Sequence, residues 1–379
     1  MNYRISRPFD AHVHFRDDIR LARTVADTSM WFRGCIVEPN LLPPVLTVED
    51  AMAYRERIGA AYSKRMKADA DLDRDLDDGS FNVHMLLYLT DETSVAEVEK
   101  AAANPHVVGF KLYPQGATTN SARGVTHLER VREPLKAMEG TDLVLQIHGE
   151  VTDEDVDVFD REAIFIERSL RFLCFQYPDL KVSLEHITTE EAVRFVQQQG
   201  DNVGASITAH HLLLNRNDLF MDKDRKMGIQ PHNFCLPILK AERHQMWLLN
   251  AATSGSPKFY AGTDSAPHAV HTKEATCGCA GCYTAPDAIE LYAEAFWREG
   301  GMDYLNDFLC EWGPRFYGIA VPPLNDPDIL LTRRAEAGSR ERNLLFGTAP
   351  AVDGKSSWRQ EVRPFAASYP NHWDVFSAD

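Results

Sequence analysis

Two histidines and an arginine occupy alternate positions near the start of the chain, in the segment RPFDAHVHFRDD at residues 7–18. On a β-strand, side chains two residues apart project to the same face, so His12 and His14 can reach one point. Imidazole nitrogens are common ligands of zinc. A His-x-His pair alone indicates a metal site only weakly, because histidines also occur in strands that bind nothing. Further ligand-type residues are needed before a metal site is predicted.

Other ligand-type residues lie late in strand-like segments further along the chain. They are Lys111 in VVGFKLYP, His148 in DLVLQIHGE, His186 in KVSLEHIT and Asp264 in KFYAGTDS. Together with His12 and His14, these residue types suit a hydrolytic centre in which two cations activate a shared water. This prediction requires a fold that brings the ends of several strands to one place.

Lys111 is the unexpected member of this set, since an ammonium has three donors and no acceptor and repels divalent cations. Two interpretations follow from the residue itself. Either Lys111 forms a structural salt bridge, or its neutral amine takes up carbon dioxide and becomes a carbamate, an anion able to bridge two cations. The other ligand-type residues at strand ends favour the carbamate.

The elements that must position these residues are short β-rich runs separated by helix-like segments. Eight such runs cover residues 4–15, 33–40, 81–89, 107–114, 142–150, 181–188, 204–212 and 258–265. Between them, residues 47–65 open with a Thr-x-x-Asp capping pattern and residues 188–200 end on glycine, two signals that bound helices. Repeated strand–helix alternation is typical of a (β/α)8 barrel, although a doubly wound open sheet shares it.

The barrel is the better of these two predictions, because no Gly-x-Gly-x-x-Gly motif follows the first strand. We therefore predict an α/β fold of the (β/α)8 TIM barrel type. The carboxyl ends of all its strands meet at one rim, where active sites of this fold are built. Residues after about 320, which include Pro322, Pro323 and Pro327, are expected to form a C-terminal extension outside the barrel, so that residues 1–379 form one catalytic domain.

Composition limits the other functions of the chain. Its 379 residues are 44% hydrophobic and 25% charged, which is typical of a globular protein with a large core. A formal net charge of −16 disfavours a nucleic-acid partner. The N-terminus lacks the apolar core of a signal peptide and no run is long enough to span a membrane, so we expect a cytoplasmic protein without a membrane partner. Seven cysteines, an odd number, argue against a disulfide framework.

Two further features imitate metal sites. The acidic segment at 69–80 resembles a calcium loop, but it lacks the glycine and the glutamate that the loop requires, so a solvated loop is predicted there. His210 and His211 follow one another at the end of the seventh run. We interpret them as residues that support the rim or a loop, because the predicted metal set is complete without them.

A cysteine cluster, CGCAGC, places Cys277, Cys279 and Cys282 at spacings seen in zinc sites. A clear fourth ligand is missing, although His271 is near in sequence. We therefore favour a tight glycine-containing loop at the substrate over a structural zinc site.

Several longer motifs carry a family resemblance. In chain order they are DAHVHFRD, EPNLLPPV, GFKLYPQGATTNS, HGEV, FDREAIFIE, EHITT, HHLLLNRND, PILK, GTDSAPH and CGCAGC. Over most of residues 7–318, this combination resembles the dihydroorotases of the amidohydrolase superfamily, specifically the shorter single-function bacterial and fungal type. The resemblance implies a TIM barrel of the metal-dependent amidohydrolase type. It also implies zinc-dependent, reversible hydrolysis of the cyclic amide of (S)-dihydroorotate to N-carbamoyl-L-aspartate, the third step of de novo pyrimidine synthesis, by a homodimer.

The resemblance also implies roles for individual residues. One zinc ion would be held by His12, His14 and Asp264 and a second by His148 and His186, with carboxylated Lys111 and a hydroxide bridging the two. Asp264 would act as general base and then as general acid. The matching substrate contacts are Arg16, Asn40 and His268 for a carboxylate, the backbone around Leu236 and Ala280 for the pyrimidine ring, His148, and Thr118 and Thr119 in the mobile loop GATTNS.

The phase of the first strand supports part of this scheme independently. Arg16 shares the alternation of His12 and His14, and its planar guanidinium suits a carboxylate. Asp10 lies in the same phase and could orient a ligand histidine.

Three alternative functions remain beside the dihydroorotase interpretation. A hydantoinase or allantoinase would use the same metals on a different ring, but a substrate without a carboxylate has less use for Arg16, Asn40 and His268. A non-enzymatic assembly protein on a hydantoinase-like barrel would lack metal ligands, and none is missing. A zinc interaction module built on the cysteine cluster would leave the histidines at the strand ends unexplained.

Overall fold

A parallel eight-stranded sheet forms the centre of the molecule, described here by a computed structural model. The structure describes residues 1–69, 81–222, 224–276, 278–321, 329–338, 343–350, 357–365, 369 and 371–377. After a short first strand, β1 (Asn2–Ile5), the sheet contains β2 (Phe9–Val13), β3 (Gly34–Val37), β4 (Asn82–Leu89), β5 (Val107–Leu112), β6 (Val144–Ile147), β7 (Lys181–Leu184), β8 (Val203–Ile207) and β9 (Phe259–Ala261). Each strand pairs in parallel with the next one along the chain.

The sheet closes on itself where its last strand meets its first. The backbone N–H of Asp264 donates to the carbonyl of His12 at 2.9 Å, and the N–H of His14 donates to the carbonyl of Ser265 at 3.2 Å. A sheet whose first and last strands are joined in this way is a barrel. The predicted (β/α)8 barrel is therefore confirmed, and each predicted run overlaps one of its strands.

A buried carboxylate reinforces this seam. Asp10 accepts hydrogen bonds from the Thr263 backbone N–H at 2.9 Å, from the Thr263 hydroxyl at 2.6 Å and from the His12 backbone N–H at 3.1 Å. Burial raises the pKa of Asp10 to about 6. Its carboxylate therefore fixes the backbone between β2 and β9, whereas the alternation in the sequence suggested contact with a histidine ring.

Helices cover the outside of the barrel. They are α1 (Leu21–Ser29), α2 (Val48–Asp69), α3 (Val95–Ala102), α4 (Arg132–Glu139), α5 (Arg161–Phe165), α6 (Arg171–Gln176), α7 (Glu190–Gln198), α8 (Ala209–Leu213), α9 (Glu242–Ala252), α10 (Val270–Lys273), α11 (Ala288–Arg298), α12 (Leu305–Cys310) and α13 (Trp312–Phe316). The predicted capping box before α2 is confirmed, because Thr47 and Asp50 each accept a hydrogen bond from the other's backbone N–H at 3.1 Å. Within the described part of the chain, no helix is both long and apolar enough to cross a membrane.

The seventh predicted run proves shorter than expected. It was expected to reach residue 212, but β8 ends at Ile207 and the chain turns into α8. Thr208 causes this change, since its side chain accepts a hydrogen bond from the His211 backbone N–H and so caps the helix. His210 and His211 therefore lie on a helix at the rim rather than on a strand.

Further strands lie beyond the barrel, namely β10 (Ile329–Gly338), β11 (Leu344–Pro350), β12 (Ser357–Val362) and β13 (Asn371–Ser377). β10 pairs antiparallel with both β1 and β13, and β11 pairs with β12. Trp373 of β13 is buried against Tyr3 of β1 and Trp297 of α11. The described residues after 320 thus contact the outside of the barrel through the N-terminal strand. The acidic segment at 70–80 lies outside the described residues.

Candidate active site

All the predicted metal ligands lie at the carboxyl ends of barrel strands. His12 and Lys111 lie within β2 and β5, and the others follow a strand within three residues of its end: His14 after β2, His148 after β6, His186 after β7 and Asp264 after β9. Each is buried, and the most exposed of them, His14, is only 7% accessible. With the exception of Lys111, which lies deeper, they line one pocket. The structure therefore brings together residues that the sequence scatters over most of the chain.

His12, His14 and Asp264 form the first of two clusters in this pocket. The Nε2 atoms of His12 and His14 lie 3.4 and 3.0 Å from the Oδ1 atom of Asp264. Burial opposes the charge on Asp264, but hydrogen bonds from the two histidines hold its pKa well below its usual range. Burial and nearby Arg16 lower the pKa of His14 to about 4. A neutral imidazole beside an ionised carboxylate is the form in which both bind a cation.

His148 and His186 form the second cluster. The Nδ1 atom of His148 lies 3.3 Å from the Nε2 atom of His186, so both rings present a nitrogen to the same point. Burial and the neighbouring His148 hold the pKa of His186 well below its usual value. The rings of His186 and His12 lie 5.1 Å apart, which joins the two clusters into one centre.

Lys111 lies near the end of β5. Its side chain is fully buried, and its Nζ atom has no hydrogen-bond partner among the residues that the structure describes. The nearest carboxylate oxygen is Oε2 of Glu38, at 3.5 Å, and that oxygen accepts a hydrogen bond from the Tyr113 hydroxyl at 2.6 Å. Burying a polar nitrogen without a hydrogen-bond partner destabilises the folded state unless another group bonds to that nitrogen. The donor set around this nitrogen therefore fits a metal centre.

Three buried glutamates that the sequence reasoning missed contact this centre. Glu185 accepts a hydrogen bond from Nδ1 of His12 at 2.7 Å, Glu150 lies 2.9 Å from Nε2 of His148, and the second oxygen of Glu38 lies 3.4 Å from Nδ1 of His12. Burial opposes protonation of His12, but the charge of Glu38 with hydrogen bonds to Asp264 and Glu185 raises its pKa to about 10. Carboxylates that accept from a histidine ring fix its orientation for a metal.

A usable signal for these glutamates existed in the sequence. Glu150 lies two residues after His148, in the same phase, and Glu185 directly precedes His186. Glu38 lies in the second predicted run and begins the motif EPNLLPPV, two residues before Asn40. Acidic residues beside ligand histidines at strand ends were therefore available as candidates for orienting the rings.

The backbone at the centre adopts an uncommon conformation. Arg16, His186 and Asp264 have φ values of 63°, 40° and 46°, in the left-handed region that residues other than glycine rarely adopt. Each such residue costs on the order of 1–3 kcal/mol and persists only where its surroundings hold it. The Tyr54 hydroxyl donates to the Arg16 carbonyl at 2.7 Å, and the His186 N–H donates to the Ser206 hydroxyl at 2.8 Å.

The predicted carboxylate-binding residues adjoin the first cluster. Nη2 of Arg16 lies 3.5 Å from Nε2 of His268, while Nε and Nη1 of Arg16 have no hydrogen-bond partner in the described part of the chain. Burial lowers the pKa of Arg16 to about 10, which leaves it cationic at neutral pH. Burial and the Arg16 charge lower the pKa of His268 to about 2. A buried cation with unused donors attracts an anionic group.

The predicted loop residues Thr118 and Thr119 line the same pocket. The amide of Asn40 donates to the Thr119 carbonyl at 3.1 Å, and the amide of Asn120 donates to the Asn40 carbonyl at 2.9 Å. Thr118 donates its backbone N–H to the Ser121 hydroxyl at 2.9 Å. The loop is therefore connected to a residue predicted to bind the carboxylate.

Leu236 and Ala280, predicted to contact a ring, also line the pocket, together with Gly281. Gly281 has a φ of 144°, and a Cβ atom there would approach Ala266 and His268 to 2.9 Å. The CGCAGC segment therefore forms a glycine-dependent turn at the pocket, although Cys277 lies outside the described residues.

His210, His211 and Cys235 form a separate buried group beside the segment that contains Leu236. His211 uses both ring nitrogens, one with the Thr208 hydroxyl at 2.8 Å and one with the Pro237 carbonyl at 2.9 Å. Its contacts thus support the chain beside Leu236, in keeping with the role predicted for it.

Comparison with known proteins agrees with this geometry. The sequence profile of the amidohydrolase family matches residues 9–321. A dihydroorotase of Idiomarina loihiensis is 51% identical over 330 residues, which cover 87% of this chain and 90% of the relative. A dihydroorotase of Shewanella amazonensis is 52% identical over 329 residues, with the same shares of 87% and 90%.

Solved structures extend the comparison. A dihydroorotase from Saccharomyces cerevisiae in complex with 5-fluoroorotic acid has a TM-score of 0.81 and 28% identity, covering 99% of this chain and 98% of that one. An L-hydantoinase from Arthrobacter aurescens, at 14% identity and a TM-score of 0.71 over 98% of this chain and 83% of its own, shares the fold alone. Because the family profile spans most of the chain and relatives match it at about half identity, the chain belongs to the dihydroorotases of the amidohydrolase family.

Proposed function

We propose that this chain hydrolyses the ring amide of (S)-dihydroorotate reversibly to N-carbamoyl-L-aspartate, the third step of de novo pyrimidine synthesis. The observation that carries the proposal is the position of Arg16. Its unused donors lie in one pocket with the His12, His14 and Asp264 cluster. A cyclic amide that bears a carboxylate can meet both features at once, and a hydantoin without one can meet only the metal-binding part.

Two zinc ions per chain are the proposed cofactors. His12, His14 and Asp264 would hold one, and His148 and His186 the other, with a hydroxide between them. When bound, the ions would lower the pKa of the shared water and polarise the ring carbonyl, the two effects that hydrolysis of an unactivated amide needs most.

Carboxylation of Lys111 is the second part of the proposal. Its neutral Nζ atom would form a bond to the carbon of carbon dioxide and release a proton to solvent, which leaves a carbamate anion. The burial of Lys111 and its lack of a hydrogen-bond partner within the described residues support this modification. Glu38, at 3.5 Å, is the competing partner that would keep Lys111 a salt-bridged ammonium.

The remaining steps belong to side chains of this chain. Arg16, His268 and Asn40 would bind the substrate carboxylate and orient the ring. Asp264 would take the proton from the attacking water and deliver it to the departing ring nitrogen, as general base and then general acid.

The ring itself would be held from two sides. The backbones around Leu236 and Ala280 would contact it, and His148 would complete the substrate contacts. Thr118 and Thr119 would close over it and exclude water. The contact of Thr119 with Asn40 supports a loop that responds to the bound carboxylate.

We further propose that the chain works in the cytoplasm as a homodimer. Residues 1–379 would form a single catalytic domain, with the C-terminal extension beginning at about 320. The proposed partner is the small-molecule substrate, with no nucleic acid and no membrane. A formal net charge of −16 supports this choice against nucleic acid, and the family resemblance supports the dimer.

The test combines a metal assay with a substrate assay. Purified protein is analysed for zinc per chain, and the ultraviolet absorbance of dihydroorotate is followed as the ring opens. We expect close to two zinc ions per chain and loss of absorbance. Zinc-loaded protein that opens hydantoins but leaves dihydroorotate intact would overturn the substrate assignment.

A further inference from the structure

One wall of the pocket is built from two loop segments that are remote in sequence. Leu236 belongs to the first, and Ala280 and Gly281 belong to the second. None of these residues lies in a strand or helix. The segments share one direct backbone hydrogen bond, from the Gly281 N–H to the Phe234 carbonyl at 2.9 Å. A wall made of loops needs additional bonds if it is to present backbone atoms in a fixed geometry.

Lys273, the last residue of α10, supplies such bonds. Its Nζ atom donates to the carbonyls of Phe234 at 3.0 Å, Cys279 at 3.0 Å and Gly281 at 2.6 Å. An ammonium has three N–H donors, so all of them are used. The acceptors flank Ala280 on both sides and lie two residues before Leu236. One side chain therefore joins both segments of the wall.

The environment of Lys273 is unusual for a lysine. Lys273 is only 4% exposed, and within the described part of the chain its Nζ atom donates to backbone carbonyls rather than to a carboxylate. Burial lowers its pKa from the ordinary lysine value. A buried ammonium without an anionic partner is costly, and its hydrogen bonds to carbonyls must offset that cost.

A second lysine makes the same kind of contact elsewhere. Nζ of Lys258 donates to the carbonyls of Val196 at 3.4 Å and Gly200 at 2.9 Å, next to the start of β9. That end of the strand is opposite the catalytic rim. Lys258 is therefore a matched control, because it joins backbone segments that do not line the pocket.

We propose that Lys273 is a positioning residue that fixes the substrate-ring wall of the pocket by clamping the Leu236 and Ala280 segments together. The inference rests on the proposed function, in which these backbones contact the dihydroorotate ring. It extends that function by assigning ring specificity to a side chain that does not touch the substrate.

The test compares Lys273→Met with Lys258→Met in zinc-loaded protein. For Lys273→Met we expect about a tenfold rise in KM for dihydroorotate, equivalent to one lost ring contact, while kcat changes less than about threefold and zinc content stays unchanged. Amide hydrogen exchange should accelerate in peptides that span residues 234–236 and 278–282. Lys258→Met should retain the wild-type KM and the wild-type exchange in both peptides.

If Lys273→Met does not yield folded protein, the same measurements are made on Lys273→Gln, whose side chain is a shorter, neutral hydrogen-bond donor. A raised KM with faster exchange in either variant supports the clamp. Wild-type KM and exchange, or equal effects of the Lys258 control, would overturn it. Wild-type protein without activity on dihydroorotate would refute the proposed function instead, and the exchange comparison would still test the clamp.

Discussion

Replacement of Arg16 by methionine is the sharpest test of the substrate assignment. Arg16 is 6% exposed, so solvent does not screen its charge, and its Nε and Nη1 atoms have no partner among the described residues. These N–H groups leave the guanidinium free to bind an anion, and we expect two hydrogen bonds from it to the substrate carboxylate. Methionine fills a similar volume but removes both donors and the charge.

The expected loss follows from those two bonds. Hydrogen bonds to a charged group contribute roughly 1.5–3 kcal/mol each, so two of them contribute about 3–6 kcal/mol. A factor of ten corresponds to about 1.4 kcal/mol, which predicts a fall in kcat/KM of about a hundredfold to ten-thousandfold. Arg16→Lys keeps the charge without the planar fork and should lose less.

The assay follows ring opening of dihydroorotate by absorbance, with zinc measured in the same samples. Arg57 provides the control, since it is 47% exposed and pairs with Asp17 at 2.7 Å on the outer surface. Arg57→Met changes the net charge equally and should leave kcat/KM unchanged. Zinc-loaded Arg16→Met with kcat/KM within about threefold of wild type would refute the assignment of Arg16 to the carboxylate.

Three further variants test the centre and its supports. Lys111→Ala should lose bound zinc and activity together and partly recover both with a short carboxylic acid, measured by metal analysis and ring opening. Glu185→Gln, which weakens the hydrogen bond to His12, should lower zinc affinity by about 10- to 100-fold in a chelator competition. Tyr54→Phe removes the hydrogen bond to the Arg16 carbonyl and should lower the free energy of unfolding in urea by about 1 kcal/mol.

Each of these variants has a control and a contradicting result. Lys181→Ala changes a lysine that pairs with Asp142 at 2.9 Å on the surface, and full activity in Lys111→Ala would exclude the bridging role. The control for Glu185→Gln is Glu167→Gln, which changes an exposed glutamate. Equal zinc affinity in both variants would show that Glu185 does not orient His12. For Tyr54→Phe, unfolding that matches the Tyr304→Phe control would show that the hydrogen bond contributes nothing.

The order and number of barrel strands could be predicted from sequence, because each strand is a short apolar run between helix signals. The ligand residues could be found because the carboxyl ends of parallel strands must converge. Where strands end was harder to predict. Thr208 ends β8 by capping α8 through a local side-chain hydrogen bond that competes with the strand ladder.

Contacts between segments that are remote in sequence could not be predicted. Asp10 has the alternation expected of a residue that faces His12, yet its carboxylate binds the backbone of Thr263 across the seam. Glu38, directly after β3, meets Lys111 of β5 although β4 lies between these two strands in the sheet. Phase along one strand fixes which face a residue occupies, but not which strand supplies its partner.

The seam between β2 and β9 joins the first and the last barrel strands to be synthesised. His12 and His14 leave the ribosome first among the ligands, whereas Asp264 leaves only after all the other barrel strands. A growing chain therefore carries an incomplete first cluster until its last barrel strand arrives and the hydrogen bond from Asp264 to His12 forms. A metal ion that needs all three residues of this cluster would therefore bind only after Asp264 has been synthesised, and a chain released earlier has the histidine pair without Asp264.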